Sequence, residues 1–459
     1  MAQREDGRHP GRLNLVQGTA LYVTAVLGTG VITLPAIAAR IAGPASLLAW
    51  LLLALLSAPL ASTFAALGAR FGDGGGVSTY VRMTYGDQAA AMVGWCFYLA
   101  VPTGTATAAV FGGAYVAAAT GGGAATTFVT ATVLVTIAVL INVAGLRLVG
   151  RVQLLLAVLL VTVLLVASGA SMSQADTANL VPFAPHGWLA IVPAAATLVW
   201  SFVGWEAITH LHGEFRNPAR DVPRATWAAV VLVGALYLVL AYTVITVLGS
   251  AAAKSDAPLG ELLAVGLGGQ ARVLAAAAAT TLTLGATTAY LASAAKLGAR
   301  LADHGDLPAR LGRGDVPGTV PRHSLALVAT LTYLSLLAIV ILGVGVETLL
   351  RMTNGALVAV YVIGAAAAVR LLPRGTRGHR AAVLSLVTVL LLLLSSGRYL
   401  FWPVAIGVAA LLFQRLRRRP EPTGVTTPRA GCAGSKPPAA TTIATPPDAA
   451  VSPPARPDR

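Results

Sequence analysis

Two cysteines stand in 459 residues, Cys96 and Cys432. That scarcity excludes a disulfide-stapled fold and a cysteine-based metal centre. Charge is nearly as scarce: Asp, Glu, Lys and Arg make up 11% of the chain, and 17 residues are acidic. So little charge leaves few groups for acid–base chemistry. There is no CxxC, no HExxH, no Ser/His/Asp set and no pair of intramembrane aspartates, so the common enzyme readings find no support. A carbonyl-filter motif and a short ring-forming pore segment are also missing, which weighs against a channel. Gly74-Gly75-Gly76 lacks the preceding strand and the following Lys-Ser/Thr of a phosphate loop, which leaves the nucleotide reading weak. His210 and His212 stand two apart and point to different helix faces, so no metal site is expected, and no cofactor is implied.

Apolar residues fill the space that charge leaves. They make up 56% of the chain, and the mean hydropathy is +0.76. Uncharged runs of about 18 residues or more mark transmembrane helices. Twelve are expected, over roughly 15–40, 45–69, 89–118, 125–145, 148–170, 188–213, 224–249, 270–299, 323–343, 348–371, 380–397 and 399–416. The first run is too long and too glycine-rich for a signal peptide and lacks a small-residue cleavage site, so it is expected to be retained.

The net charge of +15 raises the question of nucleic acid, and its placement answers it. In this topology Arg40, Lys254, Arg272, Arg351 and Arg398 are the only basic residues on the outer side. Basic residues concentrated inside are the signature of membrane insertion, so no nucleic-acid partner is expected. An even number of spans places both termini in the cytoplasm of a multi-pass cell-membrane protein. Residues 1–12 read as a basic arm, 13–417 as the membrane domain and 418–459, rich in Pro, Ala and Thr, as a disordered tail. The external loops are expected to be short, and 71–87 to be an internal loop.

One stretch, 198–224, organises the rest: LVWSFVGWEAITHLHGEFRNPARDVPR. It begins as an apolar helix, weakens at Ser201-Phe202-Val203-Gly204, and then carries Glu206, the only acid inside a span. A carboxylate at bilayer depth is a functional candidate, and a buried one favours its protonated form. The bland alternative is a structural carboxylate satisfied by backbone amides at a helix break. His210 and Glu214 follow at four-residue spacing on the same helix face. A proton path and an ordinary histidine at a helix end both remain open. Trp200 and Tyr290 either cover a ligand or pack against neighbouring helices. The first span repeats the design, with Gly28-Thr29-Gly30 interrupting it and Pro35 following. Two interrupted hydrophobic segments at corresponding places in two halves point to a carrier's binding site. A membrane receptor or channel without a substrate cycle is the rival from another class.

These residues resemble the amino acid–polyamine–organocation (APC) superfamily over about residues 12–416. LGTGVITLP in the first span, GGGVSTYV before the third, FVGWEA followed by EFRNPARDVPRA in the sixth, and LADHGDLP after the eighth match its motifs. The run from Phe202 to Pro218, including His210 and Leu211, most resembles the bacterial branch that exports L-methionine and branched-chain amino acids. The arginine/agmatine antiporter branch is more distant.

The resemblance implies an all-α fold with a five-plus-five inverted repeat, about 13–170 and 188–371, plus extra helices in 380–416. It implies an amino acid substrate held between broken first and sixth helices, with amino acid or polyamine import or exchange as the alternative activity. Gly28, Thr29 and Gly30 then receive the substrate carboxylate, which helix amide ends favour. The carbonyls of Ser201, Phe202 and Gly204 receive its ammonium. Trp200 covers the substrate, Glu206 and Tyr290 gate it, and Phe97 and Thr105 face it. Two departures stand out. The fifth span, 151–168, has no lysine of the kind that some proton-coupled members use, and a cytoplasmic arginine of the eighth is Lys296 here. Protons as a second partner, and the oligomeric state, stay open.

Overall fold

A backbone in lipid must satisfy its own hydrogen bonds, so apolar spans fold as helices. The computed structural model describes residues 15–27, 30–71, 76–144, 146–205, 217–313 and 320–417. Among them the chain is helical and no strand occurs. The helices are α1 Leu15–Leu27, α2 Gly30–Ala42, α3 Ser46–Arg70, α4 Gly76–Thr120, α5 Ala124–Ala144, α6 Leu146–Ser171 and α7 Ile191–Leu198. They continue as α8 Pro218–Leu248, α9 Pro258–Leu267, α10 Ala271–Asp303, α11 Arg322–Leu342, α12 Val346–Leu371, α13 Arg377–Ser395 and α14 Phe401–Arg417. Nine helical runs among the described residues are long and apolar enough to cross a membrane, with Gly30–Arg70 counted as one run.

The expected spans map onto these helices in order. α1 and α2 are two halves of the first span, and α7 opens the sixth. The expected interruption of the sixth span is seen after Leu198, and that of the first span, at 28–29, lies outside the described residues. Two stretches differ from the sequence expectation. The internal loop is largely helical: α4 starts at Gly76 and runs through a sharp kink at Gly86, whose φ of 82° only glycine adopts freely. The expected short external loop before the eighth span contains α9. Its Leu259, Leu262 and Leu263 are buried against α2, α6, α8 and α10, and that apolar face makes it helical.

Lipid exposure inverts the usual surface pattern. α5 shows Val129, Val133, Ile137 and Leu140 outward, and α13 shows Leu384, Val387, Leu391 and Leu394. The hydroxyls turn inward or back onto their own helix. Thr63, Thr107, Thr197, Thr287 and Thr353 each donate to the carbonyl four residues earlier, which satisfies a polar group without water. Helices approach closely through small residues. A Cβ on Gly298 of α10 would sit 2.2 Å from Ser324 Oγ of α11.

The end of the molecule that carries the LADHGDLP turn is pinned by Asp306, which is 4% exposed. Gln414 Nε2 of α14 donates to its carboxylate at 2.8 Å, and Arg82 of α4 approaches at 3.4 Å. Trp95 Nε1 donates to its carbonyl at 2.8 Å.

Candidate functional site

The first and sixth spans meet at Gly30: the described helix residues are Leu15–Leu27 and Gly30–Ala42, with 28 and 29 outside the described residues. α7 ends at Leu198 and tightens into a 3₁₀ turn over Val199–Phe202, a pattern common where a helix ends. Val203 is then extended, and Gly204 takes φ 122°, which a Cβ disfavours. Gly30 lies directly against Trp200 and Ser201. A Cβ there would come within 2.7 Å of Trp200 Cδ1 and 2.8 Å of Ser201 Oγ. The far edge of Trp200 rests on α4, where a Cβ on Gly104 would be 2.9 Å from Cη2 and 3.2 Å from Thr353 Cγ2.

A single phenol ties both interruptions together. Tyr237 Oη of α8 lies 3.2 Å from the Val26 carbonyl oxygen, 3.1 Å from that of Leu27 and 2.9 Å from that of Ser201. It has one proton to donate to three acceptors, so the remaining carbonyls keep lone pairs for a ligand's N–H groups. Its ring stacks on Trp50 at 4.8 Å and touches Phe202 at 5.2 Å, which holds the hydroxyl in place. Tyr361 of α12 accepts from the Gly204 amide at 3.2 Å. Thr353 and Thr103 hydroxyls pair at 2.7 Å, and Asn354 donates to the carbonyls of Ala196 and Thr197 at 3.0 and 3.1 Å. These contacts fix α12 and α4 against the broken span.

The hydroxyls of Thr33, Thr105 and Ser201 and the indole N–H of Trp205 are buried with no hydrogen-bond partner among the described residues. Buried polar atoms rarely go unpaired, so each is available to a ligand or water.

The expected site residues separate as follows. Gly30, Trp200 and Ser201 are in contact. Phe202 belongs to the Trp50–Tyr237 aromatic group. Gly204 forms the extended exit. Thr105 is buried next to Gly104. Phe97 packs on the buried group Ala100, Ala356 and Leu357, as Val203 and Trp402 do, and Tyr290 packs on the main core. Gly28, Thr29, Glu206 and His210 lie outside the described residues. Sequence reasoning missed Trp50, Gly104, Tyr237, Thr353, Asn354 and Tyr361. The available signal was a polar-tipped tyrosine at mid-span, at 237 and 361.

Residues 13–414 match the amino acid permease family. The chain belongs to that family. It is an amino acid transporter of the membrane, not an enzyme. This permease is 30% identical over 402 residues to an uncharacterized amino acid permease, YecA, of Bacillus subtilis, covering 88% of this chain and 95% of that one. It is also 30% identical over 425 residues to the L-methionine/branched-chain amino acid exporter YjeH of Escherichia coli, covering 90% and 98%.

Proposed function

We propose that the permease exports neutral amino acids, with L-methionine, leucine, isoleucine and valine as its substrates, by alternating access. The observation that carries this reading is the meeting of Gly30 in the first span with Trp200 and Ser201 at the break in the sixth. The side chains against Gly30 are those of Trp200, Ser201 and Leu34, with no charge among them. That environment suits an apolar side chain better than a guanidinium, whose burial without a paired carboxylate is costly. Backbone carbonyls around Tyr237 take the ammonium, and the amide end of α2 with Gly28, Thr29 and Gly30 takes the carboxylate. Trp200 covers the side chain, with Phe97, Thr105, Phe202, Gly204 and Tyr290 around it. The similarity to the Escherichia coli exporter supports both the substrate class and the direction.

Glu206 acts as gate or proton-linked switch, with His210 beside it. Glu206→Gln is expected to lower turnover and flatten its pH dependence while changing substrate affinity less. An unchanged pH profile removes Glu206 from coupling. Both termini face the cytoplasm, with the membrane domain over 13–417. Cysteines introduced at exposed Asp256 and Arg374 should then label from opposite sides.

Radiolabelled methionine and leucine counterflow in proteoliposomes, with and without an imposed pH gradient, tests the function. Saturable counterflow inhibited by branched-chain amino acids is expected. Inhibition by arginine or agmatine but not by leucine overturns the substrate class.

A further inference from the structure

Trp200 lies lengthwise between two glycines. Its Cδ1 edge faces Gly30 of α2, where a Cβ would come within 2.7 Å. Its far edge faces Gly104 of α4, where a Cβ would stand 2.9 Å from Cη2 and 3.2 Å from Cζ3. The residue is 7% exposed. The indole thus bridges the first span and α4, with no room for a side-chain carbon at either end.

Gly104 differs from other glycines of its helix. Gly94 and Gly112 meet Leu301 and Thr283 of α10, and Gly113 meets the Thr127 backbone of α5. Those are close helix crossings of the kind that small residues permit. Gly104 meets the broken sixth span instead, together with the Thr353 methyl of α12.

The surroundings decide what yields when Gly104 gains a methyl. Thr353 is held twice, by the Thr103 hydroxyl at 2.7 Å and the Leu349 carbonyl at 2.9 Å. The backbone on both sides of Trp200 is held as well. Asn354 Nδ2 donates to the carbonyls of Ala196 and Thr197, and Tyr237 Oη lies 2.9 Å from the Ser201 carbonyl oxygen. The indole cannot slide toward α2, because Gly30 stands against its other edge. What remains is rotation about its own side-chain bonds, which tilts the ring out of its present plane.

We propose that Gly104 is a positioning residue that sets the length of amino-acid side chain the site admits, acting through the Trp200 indole. This deepens the proposed function and rests on Trp200 covering the substrate side chain. With the substrate carboxylate at the amide end of α2, the side chain runs beneath the indole toward α4. Gly104 lets the far ring lie back against α4, which leaves room for an unbranched chain such as that of methionine. A methyl at Gly104 tilts the ring over that end and shortens the slot. Methionine then loses more than alanine or valine does.

The test measures competition by alanine, valine, methionine and phenylalanine against radiolabelled leucine, on the purified full chain in nanodiscs. A single methylene in an apolar pocket changes discrimination by about 10- to 200-fold, so Gly104→Ala should weaken methionine relative to alanine about tenfold or more. Trp200→Phe shortens the ring and removes the edge that meets Gly104. In that background Gly104→Ala should change the methionine-to-alanine ratio by no more than about twofold. Trp200→Phe alone should raise phenylalanine relative to methionine about tenfold, and it carries the test if Gly104→Ala does not fold.

Equal weakening of all four competitors by Gly104→Ala makes Gly104 a packing residue and overturns the proposal. So does a ratio that shifts as much in the Trp200→Phe background, or a phenylalanine-to-methionine ratio that Trp200→Phe leaves unchanged. If the wild type binds lysine and none of the neutral amino acids, the substrate reading fails by itself. Lysine against ornithine, a methylene shorter, then scores the same slot, and a ratio unchanged by Gly104→Ala overturns this inference as well.

Discussion

At the first interruption the chain supplies glycine; at the second it supplies Trp200, Ser201 and Phe202. The first places Gly30 where a Cβ would strike the other segment. The second tightens helix into a 3₁₀ turn, becomes extended at Val203 and turns at Gly204 with φ 122°. Both depend on glycine for different reasons: space at Gly30, backbone conformation at Gly204. A site made by two identical small-residue breaks would have no wall for a side chain. A site made by two bulky ones could not close.

The comparison predicts a ranked set of losses. Gly30→Leu should abolish counterflow with expression near normal. Gly30→Ala should slow counterflow roughly tenfold, about 1.4 kcal/mol on the transport barrier, and should lower the Tm less than Gly204→Ala, because its Cβ meets side chains of Trp200, Ser201 and Leu34 that can shift. Wild-type flux in Gly30→Ala would mean that the two segments do not need their present contact. Gly204→Ala should cost about 1–3 kcal/mol of backbone strain and lower the Tm as well as flux. A Tm that falls for Gly30→Ala and not for Gly204→Ala would reverse the assignment of space and conformation.

Tyr237→Phe tests what links the two. It keeps the stack on Trp50 and removes the proton shared among Val26, Leu27 and Ser201 carbonyls. The expected loss is about 1 kcal/mol, a roughly fivefold weaker substrate affinity measured by binding to purified protein. Thr353→Val should have the smallest effect. It removes the hydroxyl that pairs with Thr103 and bonds the Leu349 carbonyl, while Thr103 keeps its bond to the Ala100 carbonyl. A thermal-shift loss equivalent to about 0.5–1.5 kcal/mol is expected, with affinity unchanged. A larger affinity effect would place Thr353 in the site itself.

Hydropathy and glycine placement alone determined the helical spans, their order and the interruption of the sixth span. Lipid forces each apolar run into a helix, so the pattern has one solution. α9 and the helical start of α4 were not legible, because both lie outside the runs that lipid selects. Their helicity comes from packing on neighbours, for α9 through Leu259, Leu262 and Leu263.

The candidate site divides in the same way. Gly30, Trp200, Ser201 and Gly204 announce themselves by breaking a pattern along the chain. Trp50, Tyr237, Asn354 and Tyr361 break none. Each is one polar-tipped residue in an apolar helix, and the partner it meets lies on another helix, 36 positions away for Tyr237 and Ser201 and 157 for Asn354 and Thr197. Which hydroxyl or amide meets which carbonyl depends on how the helices cross, and crossing is set by side-chain packing in three dimensions.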